Sequence, residues 1–369
     1  MRINLLYNYY YDFGNRVMTI GGIQTYIHDL VRSCIKHNHI VTVFQMGDKN
    51  ESVPVDGYKI ESIKTSKSND IQDFANAVAK RTNAEEDIFI YGTDAIIPRR
   101  NPFKHSIGIQ HGINWDMPRT KSRNPIVMQL LKARRNYGIM RKVNNVEMLV
   151  CVDYNFVNWM RAQSDKVETK MTVIPNYTQI APHFEKPKDR INIIFARRFW
   201  WYRGTRVFTH AIKRILEEFD NVYVTIAGSG PDEEWMHSEL GSNKKVTFTS
   251  YTSSESMATH ADKHIAVVPT VGSEGTSLSL LEAMSAQCAV VASDVGGMTN
   301  ILLDEYNGLL VPAGNVDRLY DAIKKLICNP DIRSRIALNG YETTKCSFSY
   351  QKWEKSWMTA LEEFIDSNK

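Results

Sequence analysis

Two carboxylates and a loop rich in glycine and serine form the strongest chemical signal in the sequence. Glu274 lies in the loop, and Glu282 follows eight residues later in a helix predicted to begin near Thr276. Amides in the first turn of a helix can donate hydrogen bonds to a diphosphate, whereas carboxylates accept hydrogen bonds from hydroxyl groups. The amides of Gly275, Thr276 and Ser277 would therefore suit a diphosphate. The two carboxylates would suit a sugar and a ribose on either side of it.

The segment that holds these residues reads PTVGSEGTSLSLLEAMSAQCAVVASDVGGMTNILLDEYNGLLVP. With its E-x7-E spacing from Glu274 to Glu282, it resembles the retaining GT-B glycosyltransferases of family 4. The resemblance covers essentially the whole chain and is most specific from residue 265 to 315. It implies an enzyme of the hexosyltransferase type, EC 2.4, that moves a sugar from a UDP- or GDP-sugar to a glycan or lipid-linked acceptor. Cell-surface glycan or polysaccharide assembly is the expected setting.

The resemblance also assigns roles to the two carboxylates. It implies that Glu282 binds ribose hydroxyls and that Glu274 is a catalytic residue that contacts the transferred sugar. The departing diphosphate would itself help to deprotonate the acceptor, so the protein mainly stabilises charge and positions the substrates. No cofactor or metal is expected, since the first half has no D-x-D and the chain has no His/Cys/Asp cluster. The structural alternative is a loop acid at position 274 and a solvated helix acid at position 282.

A basic pair follows the first predicted strand of the second half. The family pattern here is G-R-x-x-x-x-K-G, and this chain reads RRFWWYRG, so Arg197 takes the place of the family glycine. Arg198 and Arg203 occupy the two cationic positions, and an arginine fork can bond two phosphate oxygens at once. The resemblance implies that this pair binds the donor diphosphate. Surface arginines that cap a strand end are the alternative.

The first half offers three weaker signals. Gly21 and Gly22 precede a helix predicted to begin near Ile23, and adjacent glycines there allow a phosphate to approach the backbone closely. A simple turn is the alternative. By the resemblance, His111 at the end of the strand HSIGIQ is a catalytic residue that touches the transferred sugar, whereas a lone histidine of this kind is more often structural. Asp116 lies five residues later and is a candidate for binding the acceptor.

One departure from the family pattern lies in the second half. The common form G-G-x-x-E appears here as a pattern that begins at Gly296 and ends in an amide, Asn300. Asp294 and Tyr251 lie near plausible donor-side positions. Asp294 can equally be a turn residue at a strand end, and Tyr251 is better explained as a core or surface residue than as a platform for the base.

Short apolar runs alternate with amphipathic helices along both halves of the chain, which predicts parallel sheets covered on both faces. We therefore expect an α/β protein with two Rossmann-like, doubly wound domains that face each other across a cleft, the GT-B arrangement. Residues 1–176 would bind the acceptor and residues 177–349 the nucleotide sugar, with a polar linker, NYTQIAPHFEKPKD, at the boundary. The helix predicted at 350–369 would pack back on the first domain.

The 369 residues carry a net charge of +4, which is unevenly distributed. Residues 1–176 hold an excess of seven positive charges, and residues 99–142 contain 11 basic residues against one acid. Such a block indicates an anionic partner. Within 124–142 a predicted helix has an apolar stripe flanked by basic residues. The stripe consists of Ile126, Leu130, Ala133, Tyr137 and Met140, and the basic residues are Lys132, Arg134, Arg135, Arg141 and Lys142.

Two interpretations of that helix stay open: the stripe packs on the first domain, or its charged edge meets an acceptor phosphate or anionic lipid headgroups. No apolar run of about 18 residues predicts a transmembrane helix, and the N-terminus lacks a secretory signal. Five scattered cysteines favour a reducing cytoplasm. These features predict a cytoplasmic protein, peripheral at the inner face of the cell membrane if the second interpretation holds.

Other function classes are less consistent with the sequence. A nicotinamide dehydrogenase is disfavoured because no G-x-G-x-x-G follows the first strand. A GT-B epimerase acting on a nucleotide sugar is the enzymatic alternative, although its loop signatures differ from these. A basic nucleic-acid-binding protein is the non-enzymatic alternative, but residues 99–142 lack the interleaved aromatic residues of single-strand platforms, so no nucleic acid is expected.

Overall fold

A computed structural model describes residues 1–19, 21–65, 70–112, 125–164, 168–272 and 274–368. Their contacts divide the chain into two units. The first comprises Met1–His111, Lys121–Ile174 and Glu354–Lys369, and the second comprises Gly112–Thr120 and Pro175–Trp353. Asp116 lies outside the described residues.

The first unit is built on an eight-stranded sheet in the order β10-β9-β8-β7-β1-β4-β6-β5. All pairings in this sheet are parallel except that of β5 with β6. Its strands, with the small β2–β3 pair, are β1 Arg2–Tyr7, β2 Tyr11–Asp12, β3 Val17–Met18, β4 Ile40–Gly47, β5 Glu51–Val55, β6 Tyr58–Lys64, β7 Ile88–Tyr91, β8 His105–Gln110, β9 Met148–Cys151 and β10 Lys170–Val173. Its first four helices are α1 Gly22–Lys36, α2 Ile71–Ala79, α3 Pro125–Val143 and α4 Tyr154–Gln163.

The second unit has a six-stranded parallel sheet in the order β13-β12-β11-β14-β15-β16. Its strands are β11 Ile191–Ala196, β12 Val222–Ala227, β13 Val246–Thr249, β14 Ile265–Val268, β15 Ala289–Ser293 and β16 Leu309–Val311. Its helices are α5 Thr205–Glu218, α6 Glu233–Leu240, α7 Ser256–His260, α8 Leu278–Ser285, α9 Val316–Cys328 and α10 Pro330–Ser347. This strand order is that of a Rossmann sheet, in which ligands bind at the carboxyl ends of the strands. Apolar clusters cover both faces.

The last helix, α11, spans Tyr350–Ser367, and from Glu354 onward it belongs to the first unit. Trp357 and Leu361 on this helix are fully buried. The indole nitrogen of Trp357 donates a hydrogen bond of 2.7 Å to the hydroxyl of Tyr26 on α1. A charged contact of 2.9 Å joins Lys36 to Glu354. Helix α11 therefore contacts α1 through Trp357 and Glu354.

Both predicted Rossmann-like sheets are present, and several local details differ from expectation, of which three concern the elements below. The β5–β6 hairpin was not predicted, although its turn holds Asp56 and Gly57, both with positive φ, as a two-residue turn requires. Helix α10 was also missed, because few of its residues are buried. Helix α8 begins at Leu278 rather than near Thr276, so Glu282 lies about one turn into it rather than two.

The exposure of helix α3 tests the first interpretation of its apolar stripe, which is packing on the first domain. Ile126, Leu130 and Tyr137 are 70%, 66% and 62% exposed, so packing on the first domain is the wrong interpretation for these three residues. Among the side chains of this helix that the structure describes, only Asn136 and Val143 are buried, which leaves the apolar stripe at the surface. Residues 126–134 are exposed, with Met128 alone half-buried.

Candidate functional site

Glu274 lies in the loop after β14 and receives hydrogen bonds from three side chains of the second unit. Its Oε2 accepts a bond of 2.8 Å from Nη2 of Arg197 and one of 3.0 Å from the hydroxyl of Thr270. Nη1 of Arg203 donates to the same oxygen. The Glu274 side chain is only 10% exposed. The loops that follow β11 and β14 are thereby tied together through one carboxylate oxygen.

The two arginines keep this carboxylate ionised. Burial alone raises the pKa of Glu274, but the positive charges of Arg197 and Arg203 outweigh burial and hold the pKa below its usual value. Breaking such a buried pair by removing one partner is strongly destabilising, because it leaves a desolvated charge without compensation. Glu274 is therefore a fixed negative charge at the carboxyl end of the sheet.

Arg197 and Arg198 are neighbours in the chain, but Arg197 is buried and Arg198 is exposed. The Arg197 side chain is 4% exposed, and its Nη1 donates a bond of 2.7 Å to the Thr270 hydroxyl. Its Nε is buried and has no hydrogen-bond partner among the described residues. Arg198 is exposed and forms no ion pair with any residue that the structure describes. Arg203 lies between these extremes, with a 27% exposed side chain.

Gly204 brings the arginine loop against the end of β14. It has a φ of +84°, and a Cβ at this position would lie 1.8 Å from the carbonyl oxygen of Pro269. The amides of Val271 and Gly272 donate to the carbonyl oxygen of Tyr202, at 2.9 and 3.2 Å. Only glycine permits this approach, and it explains the final glycine of RRFWWYRG.

A second glycine contact fixes the loop that carries the carboxylate. Gly296 has a φ of +54°, and a Cβ there would lie 2.2 Å from the carbonyl oxygen of Glu274. The amide of Gly297 donates a bond of 2.8 Å to that same oxygen. The glycine pair that follows β15 therefore holds the backbone at Glu274. Asn300 ends the short 3-10 turn that begins at Gly296.

The start of α8 and Glu282 complete the predicted donor half-site in the second unit. Ser277 is the N-cap of α8 and makes no capping bond with its side chain, and Thr276 beside it is buried. Burial raises the pKa of Glu282 to about 7, against a lowering contribution from the Ser256 hydroxyl. Burial and the charge of Glu282 raise the pKa of Tyr251, whereas the charge of Arg197 lowers it. Tyr251 is therefore close to both Glu282 and the arginine cluster.

Two other features after the strands carry less chemistry. Asp294 is exposed, and its Oδ1 accepts a bond of 3.3 Å from the amide of Ala313, as a turn residue would. A groove of about 640 Å³ opens over β12 and β13, and its lining includes Tyr251 but none of the predicted site residues. The charged cluster at Glu274 lies outside the lining of this groove, so the chemistry is inferred from the contacts of the cluster rather than from the groove.

In the first unit, Gly21 is the N-cap of α1 and Gly22 is its first residue, with no side-chain cap. His111 follows β8, and its Nε2 lies 2.9 Å from the carbonyl oxygen of Gly92. Burial lowers the pKa of His111 to about 4, so the ring is neutral at pH 7 and Nε2 carries the proton that it donates to this oxygen. Nδ1 is then an acceptor. The ring of Tyr26 packs edge-on against the imidazole, with centroids 4.8 Å apart.

The structure thus brings together Glu274 and Arg203 in the second unit, with Tyr251 close to both Glu282 and Arg197, and it adds two residues that had no predicted role. These are Arg197 and Thr270, which both bond within the Glu274 cluster. The signal for Arg197 was its departure from the family glycine. Thr270 gave no signal beyond its place after β14.

The described residues contain no group of three or more His, Cys, Asp or Glu side chains that could hold a metal ion. No helix within the described part of the chain is long and apolar enough to cross a membrane.

Comparison with known proteins identifies the second half. The family model described as "Glycosyl transferases group 1" matches residues 176–343. A phosphatidyl-myo-inositol mannosyltransferase of Mycobacterium leprae is 32% identical over 188 residues, which cover 49% of this chain and 50% of that protein. The chain matches between 44% and 60% of the length of three such relatives.

Similarity to solved structures extends over the whole chain. Sucrose-phosphate synthase from Thermosynechococcus elongatus has a TM-score of 0.76 at 15% identity and covers 99% of both chains. Anabaena HepE, solved in complex with UDP-glucose, has a TM-score of 0.72 at 14% identity, covering 98% of this chain and all of that one. Residues 176–343 of this chain therefore match the glycosyl transferases group 1 family, and the chain as a whole shares the GT-B fold of these solved structures.

Proposed function

We propose that this chain is a retaining glycosyltransferase of family 4 that transfers a sugar from a nucleotide-diphosphate sugar to an acceptor. The observation that carries the proposal is the charged cluster after β11 and β14, in which Arg197 and Arg203 hold Glu274 ionised beside the start of α8. The neighbour solved with UDP-glucose supports a nucleotide-diphosphate sugar as the donor.

In this proposal the donor is held mainly by charge. Arg198 and Arg203 bind the diphosphate, and the amides of 275–277 with Gly21 and Gly22 add uncharged donors. Glu282 accepts hydrogen bonds from the ribose, and Glu274 accepts them from the transferred sugar. Diphosphate departure develops negative charge, which preorganised cations stabilise without having to reorganise at that moment.

His111 acts in the proposal as a neutral hydrogen-bond acceptor. Its Nε2 proton is committed to the carbonyl oxygen of Gly92, which leaves Nδ1 to accept a bond from a sugar hydroxyl. With a pKa of about 4, the ring does not serve as a general acid near pH 7. The acceptor proton passes to the departing diphosphate, so retention requires no protein base.

The test is turnover across a panel of UDP-, GDP- and ADP-sugars. We expect one donor to raise the melting temperature and to release its nucleoside diphosphate slowly by hydrolysis, and faster with an acceptor. The sugar should then be linked to the acceptor with its anomeric configuration kept. Recovery of a free epimerised sugar would favour the epimerase instead. A chain that binds none of these donors would refute the proposal.

We further propose that helix α3 docks on an anionic membrane, which would bring a lipid-linked acceptor within reach. Five large apolar side chains on one face are exposed, and Arg134 and Arg141 lie among them. The five are Ile126, Val127, Leu130, Leu131 and Tyr137, at 70%, 44%, 66%, 48% and 62% exposure. Helix α3 carries no acidic residue. A second copy of the chain would place like charges against each other, whereas anionic headgroups complement them.

Co-sedimentation with phosphatidylglycerol and with phosphatidylcholine vesicles tests this docking. Each basic residue near an anionic surface contributes about 1 kcal/mol, so binding should need anionic lipid and weaken at high salt. The double variant Arg134→Ala/Arg141→Ala should weaken the salt-sensitive part of the binding, and Leu130→Ser/Leu131→Ser should weaken the part that salt does not affect. Leu338→Ser, at an equally exposed leucine of the second unit, is the matched control. Binding that ignores both lipid charge and salt would refute the docking.

A further inference from the structure

Arg197 stands where the resemblance calls for glycine, and neither the family pattern nor the proposed donor contacts give its side chain a task. The guanidinium is 4% exposed and therefore unable to reach a ligand, yet it bonds both Glu274 and Thr270. Its Nε remains buried without a partner among the described residues. A buried donor without a partner has an energetic cost, so the position is not explained by packing alone.

The contacts of Glu274 distinguish its two arginines. Both donate to Oε2. Arg197 is also fixed by Thr270, whereas Arg203 has a 27% exposed side chain. Of the two, only Arg203 can turn toward a ligand while Arg197 stays in place.

A cation shared with a buried carboxylate is a poor phosphate ligand unless the carboxylate has a second partner. If Arg203 left Glu274 with no other cation present, it would leave a desolvated charge unpaired, and this cost would be subtracted from phosphate binding. With Arg197 and Thr270 still bonded to Oε2, Glu274 keeps two donors when Arg203 departs.

We propose that Arg197 is a positioning residue that holds Glu274 in place while Arg203 exchanges from this carboxylate to the donor diphosphate. The inference rests on the proposed function, because it takes the diphosphate as the ligand of Arg203. In this role Arg197 contacts neither phosphate nor sugar, but it determines the affinity for the diphosphate. Arg197 also keeps Glu274 in one place for the transferred sugar after Arg203 has moved.

A double-mutant cycle separates this role from a merely structural one. In Arg197→Ala, Glu274 retains Arg203, so we expect the affinity for UDP and GDP, measured by calorimetry, to fall about fivefold or more. Adding Glu274→Gln should release Arg203 and restore the affinity to within about threefold of the parent protein. In the parent background, Glu274→Gln alone should leave nucleotide affinity unchanged or raise it. Arg197→Lys, which keeps a cation beside Glu274, should lose less than Arg197→Ala.

If Arg197 had a merely structural role, adding Glu274→Gln to Arg197→Ala would lower nucleotide affinity further, because a second change in a damaged site does not restore binding. Unchanged affinity in Arg197→Ala, or no recovery in the double variant, would overturn the inference. Should Arg197→Ala fail to fold, a loss of affinity in Glu274→Gln alone would overturn it as well. Arg203→Ala tests the proposed function separately. Binding that needs Arg203 but ignores Arg197 refutes the inference alone, whereas a parent protein that binds neither UDP nor GDP refutes both.

Discussion

Arg198 and Arg203 are both expected to bind the donor diphosphate, and their different surroundings predict different consequences when each is replaced by alanine. Arg198 is exposed and has no ion pair among the described residues, so its whole contribution is available to a ligand. Arg203 is bonded to Glu274 before any ligand arrives. Both variants should weaken nucleotide binding, and only Arg203→Ala should also lower the stability of the free protein.

The size of each effect follows from the kind of bond that is lost. A hydrogen bond to a charged group contributes roughly 1.5–3 kcal/mol, and about 1.4 kcal/mol corresponds to a tenfold change in affinity. Arg198 is solvated in the free protein, which places its effect near the lower end, at about tenfold, and makes it smaller at high salt. Arg203→Ala should lower affinity at least as much. It should also cost on the order of 1 kcal/mol of unfolding free energy, since Glu274 loses one of its three donors.

Calorimetric titration with UDP and GDP, at low and high salt, together with thermal melting of the free variants, measures both quantities. Arg318→Ala, at an exposed arginine on α9, is the matched control and should alter neither. Unchanged affinity in both site variants would refute the assignment of the diphosphate to this loop. A lower melting temperature in Arg198→Ala, with none in Arg203→Ala, would refute the different roles derived from their contacts.

Three further predictions concern single side chains. Glu282 has a pKa of about 7, so nucleotide affinity should fall as the pH drops from 8 to 6, and Glu282→Gln should bind weakly at both values. Because the pKa of Glu282 is raised in the folded state, the protonated group stabilises the fold below about pH 4.5, and this stabilisation is lost as the pH rises through 7. Glu282→Gln should therefore be the more stable protein at pH 8, by up to about 3 kcal/mol in chemical denaturation. Glu274→Gln should lower turnover more than nucleotide affinity, and intact turnover would make it a bystander. His111→Ala should lower kcat at least tenfold with nearly unchanged nucleotide affinity, and His111→Asn should recover part of it, whereas loss of folding would indicate a structural histidine.

The two sheets could be predicted from the sequence because their strands are short and buried on both faces. Strands β7 and β9 are apolar throughout, β8 is buried along its whole length, and helices with one apolar face separate many of the strands. The hairpin of β5 and β6 lies at the edge of its sheet and alternates in burial, so its runs are weaker than those of the central strands. Its Asp56–Gly57 turn was the available signal.

The exposure of α3 could not be predicted, because an apolar stripe with basic flanks suits a packed helix and a membrane-surface helix equally. Leu130 and Tyr137 repeat at helical spacing in either case. Only the position of the helix in the first unit distinguishes a packed helix from a membrane-surface helix. That position depends on residues far apart in the sequence, as the burial of Val143 in the core illustrates. The sequence pattern predicted the helix and its apolar face, but it did not predict what covers that face.

The carboxyl ends of the strands in the second unit were predictable as the place of chemistry, while the pairing of charges was not. Spacing put Arg197, Arg198 and Arg203 after one strand and Glu274 after another. Which arginine side chain is buried depends on contacts with Thr270 and Glu274, which are distant in sequence, and the sequence assigned no role to Arg197. A residue first noted as a departure from a pattern became the most buried cation of the site.

The balance of these charges suits a leaving group whose negative charge grows during the reaction. The half-site in the second unit holds three guanidinium groups against the full charge of Glu274 and the partial charge of Glu282, whose pKa of about 7 leaves it roughly half ionised at neutral pH. The excess is therefore between one and two positive charges. Glu274 keeps the two inner cations together rather than letting them repel each other, and Arg198 remains exposed for an arriving anion. Under the proposed function, this excess positive charge stabilises the ground-state donor weakly and stabilises the departing diphosphate more strongly. That difference is the condition for accelerating the chemical step rather than merely tightening binding.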